Sequence, residues 1–244
     1  MNNKGMNLVV DYGNTSAKVG IFNQQELVEK RTIAALPELK SLLELSEAEN
    51  IIVSSVSHSP DDIVSWASKA RRRYLLDHRL PLPIRNHYRT PETLGVDRIA
   101  GVCGAIQLFP ESNTLTIDAG TCITYDFSDA EKNYMGGSIS PGLTMRFRAV
   151  HEYTARLPLV NPIENPAFTG DSTESAIQSG VYYGMLEEIN GVVAAYNKKY
   201  TGLKVALTGG DARFFENNLK ASIFASPNLV LIGLNSILNY NVNR

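Results

Sequence analysis

Cysteine is scarce in this chain. Cys103 and Cys122 are its two among 244 residues, each inside an apolar segment, without the even, close spacing of a disulfide framework or the paired spacing of a zinc site. They read as buried thiols in a reducing cytoplasm. Excess charge of either sign is also missing: 23 Lys and Arg against 25 Asp and Glu leave a formal charge of -2. Nothing here suggests nucleic acid or an anionic membrane as the main partner, so any anion must be met by local groups. No apolar run reaches the length of a membrane span, and no signal-peptide core precedes Asp11. Neither a Walker A loop nor a Gly-x-Gly-x-x-Gly element occurs, which argues against P-loop and dinucleotide-type nucleotide binding. The four histidines, His58, His78, His87 and His151, lack metal-ligand spacing and read as surface or loop residues.

What is present is a glycine turn at the end of an apolar strand. Leu8-Val9-Val10 runs into Asp11-Tyr12-Gly13-Asn14-Thr15-Ser16-Ala17-Lys18. The strand delivers Asp11 at its end, Gly13 lets the backbone approach an anion, and Asn14, Thr15 and Lys18 can donate to phosphate oxygens. Alone, the stretch reads first as a hairpin turn, since Asp, Gly and Asn are ordinary turn residues. A second copy changes the balance: Thr114 to Asp118 runs into Ala119-Gly120-Thr121-Cys122. A third turn, Thr208-Gly209-Gly210-Asp211, lies between an expected strand and a helix expected from Ala212, the position where open α/β sheets leave room for nucleotide.

Hydrophobic periodicity predicts three strands over residues 7–33, a helix bearing Leu36, Leu39, Leu42 and Leu43, and a buried strand from Asn50. A helix is expected from Asp61, with Lys69 and Arg71 to Arg73 at its far end. Another begins near Arg98, with Ile99, Val102, Cys103, Ile106 and Phe109 as its apolar stripe, interleaved with small residues. From Asn113 the strand-turn-strand-turn-strand order repeats. This predicts a duplicated architecture with one domain over 1–112 and another over 113–244. The longest helix carries Gly180 and Gly184 one turn apart, and glycines there predict tight packing against a core sheet or a subunit interface.

Two Asp-x-Gly turns followed by a late Gly-Gly turn resemble the actin, sugar kinase and Hsp70 superfamily. The resemblance narrows with Asp11-Tyr-Gly-Asn-Thr15-x-x-Lys18, Gly95-Val-Asp-Arg98, Asp118-Ala-Gly-Thr121, Gly136-Gly-Ser-Ile-Ser-Pro-Gly142 and Gly170-Asp-Ser-Thr173. Their order and spacing are similar to those of the type III pantothenate kinases over nearly the whole chain. The resemblance implies an α/β protein of two duplicated actin-like, ribonuclease H-like domains, with mixed sheets flanked by helices and a cleft between them. It implies a cytoplasmic homodimer that transfers the γ-phosphoryl group of ATP, with Mg²⁺, to the hydroxyl of pantothenate, the first step toward coenzyme A. A monovalent cation, K⁺ or NH₄⁺, is implied as well.

Carried over by position, Asp11, Tyr12, Gly13, Asn14, Thr15, Ser16, Ala17 and Lys18 resemble the family's ATP phosphate loop, and Thr121 a further ATP contact. Tyr88, Gly95, Val96, Asp97, Arg98 and Thr173 resemble its pantothenate contacts, with Asp97 in the place of the catalytic base. Asp118 matches the aspartate that holds the monovalent cation. Cys122 departs from the family pattern, standing where alanine is commoner. From the residues alone Asp97 serves equally as the N-cap of an apolar helix, and Arg98 fits either a substrate anion or a pair with Asp97. Other functions on the same fold stand as alternatives: phosphorylation of a different small alcohol such as a sugar, polyphosphate cleavage, and a nucleotide-binding accessory factor for transcription.

Overall fold

The structure, a computed structural model, describes residues 5–14 and 16–244. Thr15, one of the expected phosphate-loop residues, lies outside them. The described residues divide into two compact units, one within 5–110 with 132–134 and 228–244, the other of residues 111–131 and 135–227.

The first unit begins as a meander of β1 (Asn7–Tyr12), β2 (Ala17–Asn23) and β3 (Glu26–Ile33), antiparallel throughout. After α1 (Leu36–Leu45), β4 (Asn50–Ser55) returns parallel to β1; after α2 (Pro60–Trp66), β5 (Arg72–Leu75) adds parallel to β4. The sheet order is β3-β2-β1-β4-β5. Alternation divides the side chains between its faces. Leu8, Val10, Ile51 and Val53 pack with α1 and α2, whereas Val9, Phe22 and Ile52 meet α3 (Val96–Leu108) and α6 (Leu229–Val242). The short β6 (Arg85–Asn86) pairs with Asn133 and Tyr134.

The second unit repeats the plan with β7 (Thr114–Ala119), β8 (Cys122–Ser128), β9 (Asn133–Pro141) from Met135 onward, β10 (Lys204–Thr208) and β11 (Phe224–Ala225), ordered β11-β10-β7-β8-β9. Here too the antiparallel β7–β8 pair is followed by parallel β10 and β11. Its core joins Leu115, Ile117 and Tyr125 to Phe147 of α4 (Leu143–Glu152) and to Met185, Ile189 and Val193 of α5 (Thr173–Lys199).

Several local expectations differ from the structure. The last helix, expected within 113–244, groups with the first unit because α6 lies on α3 at glycine-to-backbone distance. A Cβ at Gly233 would meet the Ala100 carbonyl, and one at Gly104 the Leu229 carbonyl. That close approach is the reason for the small residues on α3. The expected basic helix end is a strand: α2 stops at Trp66, and Arg72 enters β5, where pairing with β4 overrides helix propensity. The helix expected from Ala212 is a single 3₁₀ turn, Ala212–Phe214. Gly180 and Gly184 open onto space: outside the helix's own backbone, nothing among the described residues lies within 4 Å of a Cβ at either. Cys103 is buried, as expected, but Cys122 is only half-buried.

Candidate active site

In the first unit the Asp11 turn is built by sheet register. Asp11, half-buried, follows the buried part of β1 and is the ladder partner of Lys18 on β2 and of Ser54 on β4. Partners in register send their side chains to one face, so Lys18, Asp11 and Ser54 form a row on the side that carries α3 and α6. The turn between them is closed by Gly13 N–H donating to Ser16 O at 3.1 Å. Ser57 Oγ donates to Gly13 O at 2.8 Å, and His58 stacks on Tyr12 with ring centroids 5.5 Å apart. Asn14 is exposed, Ser16 half-buried and Ala17 buried.

Asp97 comes to this row from the start of α3. The N-cap of that helix is Gly95, with no side-chain cap, so Asp97 does not serve as the N-cap. It is the second helical residue, where the helix dipole favours a carboxylate, and its Oδ1 accepts from Arg98 N–H at 2.9 Å. A Cβ at Gly95 would press on that same Oδ1, so glycine there leaves Asp97 its position. The buried Arg98 lays its guanidinium over the Tyr88 ring, 5.6 Å from the centroid, a cation–π arrangement. Tyr88 in turn stacks on Tyr134 at 6.2 Å and 7°.

The electrostatics join these groups. Burial is the main cause that pushes the Asp11 carboxyl up to about 6; Lys18 draws it down, and Asp97 pushes it further up. Desolvation and a like charge both disfavour the ionised form.

The second unit holds the other expected residues. Asp118 stands near the end of β7 as the partner of Thr208 and Thr124, and Thr121 is exposed in the turn that follows. Two later turns close on that segment. Gly209, at φ +99°, sits where a Cβ would strike the Ala119 backbone, and Gly142 where one would strike the carbonyls of Gly120 and Thr121. Asp211 N–H donates to Ala119 O at 2.9 Å, and burial raises the Asp211 carboxyl above its usual range while Arg213 lowers it. Thr173 is the exposed first residue of α5, behind a Ser172–Ser175 capping box. Gly170 makes this possible, since a Cβ there would run into the Ala176 backbone.

The family model for type III pantothenate kinases matches residues 7–195. The chain belongs to that family. A type III pantothenate kinase from Bacteroides fragilis is 46% identical over 98% of this chain and 100% of its own. Among solved structures, a protein assigned to the Baf family of transcriptional activators from Campylobacter jejuni has a TM-score of 0.65 at 22% identity, covering 97% of this chain and 100% of that one. One described as a 2-dehydro-3-deoxygalactonokinase from Sinorhizobium meliloti has a TM-score of 0.56 at 14% identity, covering 96% and 98%. These two likenesses concern the fold, which is that of the actin-like sugar kinases and ATPases.

For a type III pantothenate kinase the first unit thus gathers Asp11, Lys18, Asp97, Arg98 and Tyr88, and the second gathers Asp118 and Thr121 with the Gly209 and Gly142 turns. Sequence reasoning missed Ser54 and Tyr134. The signal for Ser54 was its place at the end of the next parallel strand; Tyr134 had none, because its stacking on Tyr88 depends on the β6–β9 pairing.

Proposed function

We propose that the protein is an ATP-dependent kinase that transfers the γ-phosphoryl group to the hydroxyl of pantothenate, giving 4'-phosphopantothenate, the first step toward coenzyme A. The observation that carries the reading is the grouping of Asp11, Lys18 and Asp97 in one unit. A cation and two carboxylates at a glycine turn suit phosphoryl transfer, in which the protein mainly aligns the reactants and neutralises charge.

Lys18 and the turn from Gly13 to Ser16 donate to phosphate oxygens. Asp97 accepts a hydrogen bond from the pantothenate hydroxyl, directs its lone pair at phosphorus and takes the proton late. Arg98 supplies a fork for the pantothenate carboxylate, and Tyr88, Gly95, Val96 and Thr173 complete the acceptor contacts. Thr121 is a further ATP contact.

The donors fit the implied cations to different degrees. Among the described residues no three His, Cys, Asp or Glu side chains gather as a metal cage, which suits Mg²⁺ held chiefly by ATP phosphates and water. When bound, it neutralises phosphate charge. Asp118 offers a carboxylate, and a Cβ at Gly120 would lie 3.4 Å from its Oδ1. The turn thus lies within ordinary contact of a carboxylate oxygen, a ligand type fit for K⁺ or NH₄⁺.

The protein acts as a cytoplasmic homodimer. Support comes from the second unit, which leaves Met135, Ile139, Tyr153 and Phe168 exposed, apolar side chains that a second copy of the chain could cover. No helix among the described residues is long and apolar enough to cross a membrane. The test is incubation of purified protein with ATP, Mg²⁺, K⁺ and pantothenate, with the product identified by mass. Phosphopantothenate is expected; ATP binding without it overturns the assigned acceptor.

A further inference from the structure

The row through Asp11 contains one side chain that the proposed reaction leaves idle. Ser54 lies near the end of β4, is fully buried, and its Oγ has no hydrogen-bond partner among the described residues. Its ladder partner is Asp11. Val9 and Ile52 belong to the cluster under α3 and α6, while Val10 and Val53 belong to the opposite one. By alternation Asp11 and Ser54 therefore stand side by side on the α3–α6 face. Neighbouring strands lie about 4.8 Å apart, so one rotamer change brings the hydroxyl to the carboxylate. A buried hydroxyl without a partner costs free energy, and such groups call for a state in which they are satisfied. The second unit repeats the pairing independently: Thr208, ending β10, is the ladder partner of Asp118.

We infer that Ser54 is a positioning residue, whose hydroxyl donates to the Asp11 carboxylate when nucleotide phosphates occupy the Gly13 turn, holding that carboxylate ionised and in one orientation. The inference rests on the phosphate-binding reading of the turn. The charged groups facing Asp11 are Lys18 on β2, which attracts it, and Asp97 on α3, which repels it. Arg98, next on α3, lies over Tyr88, and α6 on the same face carries no charged side chain. Opposed Coulomb forces do not select an orientation for a carboxylate. A directional hydrogen bond from the β4 side does.

The test compares the full-length wild type with Ser54→Ala and with Ser54→Cys, which keeps the shape at a slightly larger size but donates weakly. Both variants are expected to match or exceed the wild-type melting temperature without ligand, to lose at least tenfold in kcat, and to keep the KM for pantothenate. Wild-type kcat in either folded variant overturns the inference. A second readout needs no acceptor: the ¹³C carboxyl signal of Asp11 is titrated with Mg²⁺ and a non-hydrolysable ATP analogue bound. A midpoint raised by half a pH unit or more in the variants supports the bond, and an unchanged midpoint overturns it. If the wild type phosphorylates no pantothenate, the assigned acceptor fails while this titration still decides the role of Ser54.

Discussion

The Asp97 carboxylate, at the start of α3, faces Asp11, at the end of β1, closely enough to oppose its ionisation. The two aspartates are far apart in sequence, and the packing of α3 on the sheet is what makes them neighbours. Lys18 partly offsets their repulsion from across the β1–β2 ladder.

A raised Asp11 carboxyl has a cost in stability whose sign follows from linkage. The folded state holds the proton up to about pH 6, whereas the unfolded chain releases it near pH 4. Stability from this group therefore falls as pH rises from about 4 to 6, and the loss is complete above that. A shift of this size corresponds to roughly 3 kcal/mol at most. Asp11→Asn should unfold at a higher temperature than wild type at pH 7 and at nearly the same temperature at pH 4, while losing activity. Calorimetry across that range checks it, and equal melting temperatures at pH 7 would contradict the buried charge.

Asp97→Asn should keep the fold and ATP binding and lose most of kcat, by about 10²–10⁴-fold for a general base. The same substitution removes a negative charge beside Asp11, so the Asp11 titration should move down. Steady-state kinetics with an ATP-binding isotherm tests the first part; near-normal kcat would refute the base assignment.

Activity should require K⁺ or NH₄⁺ and be weak in Na⁺ alone. Asp118→Asn should raise the concentration of K⁺ needed for half-maximal rate. Rate measured against cation concentration decides this, and full activity in strictly sodium buffer would count against Asp118 as a cation ligand.

Gly233→Ala should destabilise the protein by about 1–3 kcal/mol, the usual cost of overpacking, because the new Cβ meets the Ala100 carbonyl across the α3–α6 contact. Urea denaturation followed by circular dichroism reads the change in midpoint.

Gly184→Leu should leave the folded chain intact, since outside the helix's own backbone nothing among the described residues lies within 4 Å of a Cβ there. If the open face of α5 is the homodimer seam, the variant should sediment as a monomer. A variant that still sediments as a dimer would place the seam elsewhere.

The amino-acid sequence by itself determined much of this protein. Alternation and turn residues marked β1 to β3 and β7 to β9, and the two Asp-x-Gly turns marked Asp11 and Asp118, because strand period and turn chemistry are local properties. Motif order was enough for the family. The tertiary structure alone decided what depends on partners distant in sequence. Arg72 became strand through pairing with β4, α6 joined the first unit through Gly104 and Gly233, and the Ala212 segment shrank to one turn. The site divides the same way. Residue types near the glycine turns were visible in one dimension, but Asp97 beside Asp11, Arg98 over Tyr88 and the buried hydroxyl of Ser54 arise from packing and register. No local pattern encodes these, because burial and charge proximity are set by which surfaces meet.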